Sequence, residues 1–411
     1  MALEEQYAQV DEQGRLVLGE ELRARFGLRP GARVWLEPGR DSILLHRPAS
    51  HLAKVYVEPT NQCNLKCRTC VRNSWAEPPG RMSWQVFSRL IEGLKDFSPP
   101  PRLSFSGLGE PLTHPRILDM IRAAKELGAK VELITNGLLL KRKLVEGLID
   151  AGLDWLWVSL DGASPETYSR VRGAGLQEVI RNLEYLFLAK ASRPSPKPHL
   201  GVVIVAMKRN LKELPALVDL GLRLGAERFL VTNVLPYTPE MKEEILYGRS
   251  VWNWKSFLRQ ISLPRMDADP ETSDVLKRIS RPYELTDFKN PEFSRPFNTC
   301  PFIDKGSTAV RWDGLVSPCL ALLHSHVSFL GDTERRVQEF SFGSLASQEL
   351  REIWESPDYA DFRERVREFD FSPCTTCNSC EMAEGNEKNC FGDQRPTCGG
   401  CLWAQGFIQC P

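Results

Sequence analysis

The chain has 411 residues, in which 53 Lys and Arg balance 53 Asp and Glu. At roughly 100–200 residues per domain, this length holds two to four domains. Charged residues at 26% and aromatics at 9% exclude a disordered chain, and zero net charge excludes a whole-molecule pull towards nucleic acid or membrane.

No run approaches the roughly 18 apolar residues a membrane-spanning helix needs. The opening MALEEQYAQVDEQGR is acidic and lacks the basic-then-apolar pattern of a signal peptide, which predicts a cytoplasmic protein. In that reducing compartment, 12 cysteines predict metal or cluster ligation rather than a disulfide framework. Cys63, Cys67 and Cys70 lie near the front, and Cys300 and Cys319 form a middle pair. Cys374, Cys377, Cys380, Cys390, Cys398, Cys401 and Cys410 crowd the last 38 residues. The 229 residues between Cys70 and Cys300 contain none, unlike cysteines scattered through a core.

Residues 1–50 read as a small β-rich unit. GRLVL, ARVWLEP and DSILLHR are strand-like runs bounded by Gly and Pro, and EELRARFGL is a short helix with Gly27 near its end. The segment VDEQGRLVLGEELRARFGLRPGARVWLEPGRDSILLHRP resembles the AbrB/MazE-like swapped-hairpin family. That resemblance implies dimerisation by interleaved strands and DNA binding through basic residues. With seven Arg, no Lys and eight Asp and Glu, the unit carries about −1, and DNA binding needs a positive footprint. Docking or homodimerisation is therefore the expected role, and DNA is not.

From Leu52 the rhythm changes. AKVYVEP, RLSFSG, KVELITN, DWLWVSLD, HLGVVIV and ERFLVTN are six strand-like runs. Helical stretches alternate with them at about 83–96, 115–127, 140–151, 176–191 and 211–224. This alternation predicts right-handed βαβ units, an incomplete (β/α)6 barrel over residues 52–235, with its active site at the C-terminal strand ends. Residues 236–299 read as a bridging segment with short helices. Residues 300–411 read as a Cys-rich module with little regular structure, held by metal in place of a large apolar core. The fold class is thus α/β, with a small β-rich N-terminal domain and a Cys-rich C-terminal domain.

Cys63-x3-Cys67-x2-Cys70 sits on the loop after the first barrel strand. Three thiolates can hold three irons of a [4Fe–4S] cluster and leave the fourth open to a small chelating molecule. Structural zinc sites take four protein ligands, often as paired C-x2-C, which this triplet lacks. The segment resembles the radical S-adenosylmethionine (SAM) enzymes. There the cluster and SAM generate a 5′-deoxyadenosyl radical that abstracts hydrogen from the substrate. Thr69 stands where that family often has an aromatic residue.

Further motifs fall at successive strand ends. In SFSGLGEPLTHP, Gly107 and Gly109 permit close backbone approach to a ligand, and Glu110 offers a carboxylate to an ammonium group. The segment is similar to the family's GGEP motif, with Leu108 in place of a Gly. Asn136 lies in the Thr135-Asn136-Gly137 turn. Ser159 and Asp161 could bond a ribose, and Arg172 could pair with the carboxylate of SAM. Asn210 follows strand five and reads equally as a turn residue. No residue is singled out for catalysis on the substrate.

Cys300-x13-Gly314-x4-Cys319 resembles the opening of the SPASM extension, which carries auxiliary [4Fe–4S] clusters. The tail departs from the usual continuation, reading C-x2-C-x2-C-x9-C-x7-C-x2-C-x8-C. Two auxiliary clusters would use eight of the nine rear cysteines and leave one. The rival reading is a zinc ribbon, with Cys374/Cys377 and Cys398/Cys401 as knuckles 20 residues apart. Whole-chain architecture and the tail NCFGDQRPTCGGCLWAQGFIQCP most resemble the maturases of tungsten-containing aldehyde oxidoreductases. The resemblance implies a protein, peptide or cofactor substrate and an electron donor such as ferredoxin or flavodoxin. The alternatives are a radical SAM maturase of ribosomally made peptides and a zinc-bearing, AbrB-like DNA-binding regulator.

Overall fold

The computed structural model describes residues 8–411 except 40, 76, 174, 249–250, 253–259, 268, 281–297, 376–379 and 394. Strands β1 (Gln9–Val10) and β2 (Leu16–Val17) pair antiparallel, as do β3 (Leu36–Pro38) and β4 (Ile43–Leu45). Between the hairpins lies α1 (Glu20–Phe26), closed by Gly27 in the left-handed conformation.

Six strands then alternate with helices: β5 (Lys54–Val57), β6 (Arg102–Phe105), β7 (Val131–Thr135), β8 (Trp155–Ser159), β9 (His199–Ala206) and β10 (Ala226–Asn233). All pair parallel in chain order, the arrangement that the βαβ rhythm predicts. Residues of β5–β8 are almost all buried, the near-continuous apolar pattern of parallel strands packed on both faces. The helices are α2 (Trp84–Leu94), α3 (Ile117–Glu126), α4 (Arg142–Asp150), α5 (Pro165–Arg172), α6 (Leu176–Ala191) and α7 (Leu214–Arg223). Helix α2 shows how sequence sets these elements. Ser83 caps it by accepting from Val86 N, and Phe87, Leu90 and Leu94 recur at helical spacing on its buried side. Helix α5 was not expected. Its eight residues are largely polar, so no apolar stripe announces it, and the Ser164 cap and Pro165 start it instead.

The bridging segment adds β12 (Ile261–Ser262) in parallel to β10; β11 (Val251–Trp252) pairs with β13 (Met266–Asp267). The rear region corrects the expectation of little regular structure. Strand β14 (Ser307–Val310) joins the main sheet parallel to β5, and β15 (Leu315–Ser317) and β18 (Gly343–Ser344) extend it antiparallel. A hairpin, β16 (His326–Leu330) with β17 (Thr333–Val337), and helices Leu350–Glu355 and Pro357–Glu368 follow. Nor is metal the sole glue. Phe302, Ile303, Val310, Ile353, Trp354 and Tyr359 join the same apolar core as the barrel strands. No described helix is long and apolar enough to cross a membrane.

Candidate functional site

The motif loops meet at one rim of the sheet because β5–β8 are parallel and each loop leaves a C-terminal strand end. Glu58 follows β5, is fully buried, and accepts Leu108 N at 3.0 Å from the loop after β6. Gln62 O accepts Glu110 N at 2.7 Å. Glu110 in turn accepts Thr135 Oγ1 at 2.8 Å, Asn136 N at 2.7 Å and Leu112 N at 3.1 Å. Asn136 Nδ2 donates to Asn64 Oδ1 at 2.8 Å, which returns to the cysteine loop. Each loop is thus held by its neighbour.

The glycines of the second motif work differently from the expectation. A Cβ on Gly109 would lie 2.0 Å from Thr60 O, and one on Gly107 would lie 2.6 Å from Glu58 Cγ. The close approach they permit is to the chain's own first loop. Gly107 also holds φ +119°, which side chains rarely adopt.

Cys63, Cys67 and Cys70 are half-buried. Cys63 Sγ accepts Leu65 N at 3.4 Å. Arg68 N donates to Val171 O at 2.8 Å, tying this loop to α5, and Tyr237 Oη donates to Arg68 O. An electropositive pocket lowering the thiol pKa values is the simple expectation for such ligands. Burial wins instead: it raises all three, with Cys67 pushed up to about 11 although Arg172 draws it down. Three half-buried thiols on one eight-residue loop, with Cys67 and Cys70 near enough to a neighbouring thiol to feel its charge, supply the soft sulfur donors that iron–sulfur clusters take. The donor set fits an iron–sulfur cluster on that ground.

Asp161 does not stand open at its strand end. Its Oδ2 takes Arg172 Nε at 2.7 Å, and its Oδ1 accepts Val205 N at 2.8 Å. Both side chains are buried. Burial works against the Arg172 charge, but Asp161 and Cys67 beside it hold its pKa above the ordinary value. Glu213 fixes this corner by accepting from Ala163 N, Ser164 N, Ser164 Oγ and Thr167 Oγ1 at the start of α5. Asn210 is fully buried and bonds Asp161 O and Val205 O, the turn role. Ser159 is half-buried at the end of β8. Burial pushes the Glu110 carboxyl up to about 6, against the bonds from Asn136, Leu112 and Thr135.

Sequence reasoning missed one constellation at this rim. His324 is fully buried, with Nε2 2.8 Å from Glu58 and Nδ1 2.7 Å from Glu77, and its ring stands edge-on to Trp75 at 4.0 Å. Burial opposes its charge, yet the two carboxylates raise its pKa. No spacing in the sequence links residue 324 to residues 58 and 77.

At the rear, Cys300, Cys319, Cys398 and Cys401 line one cavity that encloses, with its mouth, about 700 Å³. Burial pushes Cys300 up to about 12, and the other thiols add to the rise at Cys319 and Cys398. Among the described residues, no three His, Cys, Asp or Glu side chains close in on a single metal position. All four residues line this one cavity, which gives a cluster room. Cys398 and Cys401 therefore face Cys300 and Cys319, across the pairing that a ribbon with Cys374 would use. Cys374 is buried, with Ser372 Oγ 3.3 Å from its sulfur, and Cys380 and Cys390 are exposed. Cys377 lies outside the described residues. Cys410 does not line that cavity and accepts Trp403 Nε1 at 3.3 Å.

Residues 57–220 match the radical SAM superfamily, and residues 300–381 match SPASM, an iron–sulfur cluster-binding domain. A protein of Pyrococcus furiosus described as "Tungsten-containing aldehyde ferredoxin oxidoreductase cofactor-modifying protein" is 29% identical over 365 residues, 87% of this chain and 96% of its own. A probable GTP 3',8-cyclase of Methanocaldococcus jannaschii is 30% identical, over 64% of this chain and 82% of its own. Among solved structures, SuiB of Streptococcus suis bound to S-adenosylmethionine shares the fold with a TM-score of 0.55 at 18% identity, over 83% of this chain and 73% of its own. The enzyme anSMEcpe with bound AdoMet gives 0.53 at 16%, over 86% and 95%. This membership sets aside the zinc-bearing regulator. The chain belongs to the radical SAM superfamily and is an enzyme with a [4Fe–4S]- and SAM-binding core followed by a SPASM iron–sulfur domain.

Proposed function

We propose that Cys63, Cys67 and Cys70 hold the SAM-binding [4Fe–4S] cluster and that the enzyme matures a tungsten-containing oxidoreductase, through its protein, a peptide or its cofactor. The observation that carries the reading is the meeting of the three thiols, Glu110 and Arg172 at one rim. Bound there, the cluster and SAM supply a 5′-deoxyadenosyl radical on one-electron reduction. Glu110 is the acceptor for the SAM ammonium, and Arg172, aimed by Asp161, pairs with its carboxylate. Ser159 and Asn136 border the same ligand. The barrel and the rear domain exclude water from the radical. Similarity over 87% of the chain supports the tungsten enzyme as the client. The peptide-maturase alternative has a shared fold alone behind it.

We assign Cys300, Cys319, Cys398 and Cys401 to one auxiliary cluster and Cys374, Cys377, Cys380 and Cys390 to another, leaving Cys410 unligated. Anaerobic purification tests this. The expected product is brown, with about twelve irons per chain from three clusters. Colourless protein with stoichiometric zinc would overturn it. Incubation of the loaded enzyme with the tungsten oxidoreductase, SAM and a ferredoxin or flavodoxin tests the client; an unaltered mass and cofactor in that oxidoreductase would refute it.

The head is proposed to pair with a second copy. Val10, Leu16, Trp35, Leu36 and Ile43 are about half to three-quarters exposed there, and α1 buries no residue. Two separate two-stranded hairpins are marginal without a further layer. Removal of residues 1–50 is expected to convert a dimer to a monomer in sedimentation velocity. A full-length chain that is monomeric at micromolar concentration would refute the pairing.

A further inference from the structure

Arg335 lies on β17 and is only 3% exposed. Its guanidinium lines the cavity of Cys300, Cys319, Cys398 and Cys401. Its one direct protein bond among the described residues is Nη1 to Ala383 O at 2.7 Å. A Cβ on Gly400, inside the Cys398-x2-Cys401 knuckle, would sit 2.4 Å from that Nη1. The knuckle therefore takes glycine so that the cation can press against it.

A buried guanidinium with no counter-anion is strongly disfavoured. Arg172, also buried, has Asp161. Among the described residues no carboxylate pairs with Arg335. Burial lowers its pKa, and among the described residues the groups that hold it up are the thiols of Cys374, Cys401 and Cys398. His326 shares the cavity, but burial disfavours its charge too, so it cannot replace a cation. Once ligation deprotonates these thiols, the negative charge that balances Arg335 is theirs, from Cys398 and Cys401 of the cavity and from Cys374 of the other group.

We propose that Arg335 is the countercharge of the cluster in the four-thiol cavity and sets that cluster's reduction potential. The inference rests on the assignment of those four thiols to a cluster. Reduction adds one electron to the cluster from an external donor, with no bond made or broken and no proton moved. The added negative charge lies beside a fixed positive one in a site of low dielectric, so the guanidinium favours the reduced form.

The test is a mediator titration of the full-length, anaerobically loaded protein, followed by electron paramagnetic resonance. The cavity cluster is identified as the signal that disappears in the Cys300→Ala/Cys319→Ala double variant. Arg335→Gln is expected to weaken reduction of that cluster at least tenfold, a fall of about 59 mV for one electron. Arg335→Lys, which keeps the charge, should retain most of the original potential. The front cluster's potential should stay put in both. An unchanged potential in loaded Arg335→Gln, or equal shifts in the Lys and Gln variants, would overturn the proposal. If Arg335→Gln fails to keep the cluster, a loaded Lys variant with near-normal potential supports the countercharge, and loss from both assigns the residue to packing. An unaltered chain without this signal would instead refute the ligand assignment.

Discussion

The Cys67→Ala variant, given dithionite and SAM, is expected to release 5′-deoxyadenosine at least about a thousandfold more slowly, equivalent to about 4 kcal/mol of barrier. Cys67 is the middle thiol of its loop and the one on which Arg172 acts most, so its removal takes away one iron ligand and, after Asp161, the next negative neighbour of that cation. The fold should survive. Cys67 is half-buried on a loop, and that loop is fastened by backbone bonds that do not use the thiol. Asn73 Nδ2 to Cys67 O at 2.9 Å remains as well. Iron content should drop by about four per chain while the auxiliary signals persist. Turnover equal to that of the unaltered chain would refute the assignment of the front site.

Cys410→Ala makes the complementary case. It should leave the iron content unchanged, because the thiol is occupied by the Trp403 ring nitrogen outside the four-thiol cavity.

What the sequence could and could not convey follows from range. The strands β5–β10 announce themselves, since apolar runs such as KVELITN and HLGVVIV encode local burial. The cysteine loop is equally local, with its three thiols inside eight residues. The rear partition is not. Which cysteines face Cys300 depends on β14 entering the main sheet beside β5, a contact between residues 307–310 and 54–57. The His324 clamp spans 266 residues to Glu58 and 247 to Glu77, so no pattern window contains it. The motif glycines show a different shortfall. Their spacing reveals close approach, but only the packed structure reveals that the approaching atoms are Thr60 O and Glu58. Arg335 was hidden for the same reason: its place against Gly400 in the Cys398-x2-Cys401 knuckle exists only in the folded chain.

Asp161→Ala is expected to destabilise the fold by about 3–5 kcal/mol, the usual cost of breaking a buried pair from one side. The discount for solvent is small, because Asp161 is fully enclosed and the Arg172 side chain is 10% exposed. Two losses combine. Arg172 keeps its charge without a partner, and Val205 N loses the carboxylate it donates to on β9. Asp161→Asn separates them: its amide oxygen can still accept from Val205 N, while the charge is gone. The Asn variant should therefore fold better than the Ala variant yet share its defect in SAM handling. In both, Arg172 is free to turn towards Cys67, and the KM for SAM should rise more than kcat falls, since the lost function is aiming a binding group. Denaturant unfolding and steady-state SAM cleavage on the loaded protein measure the two effects separately. A stability loss under about 1 kcal/mol in the Ala variant, or an unchanged KM in both, would mean that Asp161 does not position Arg172.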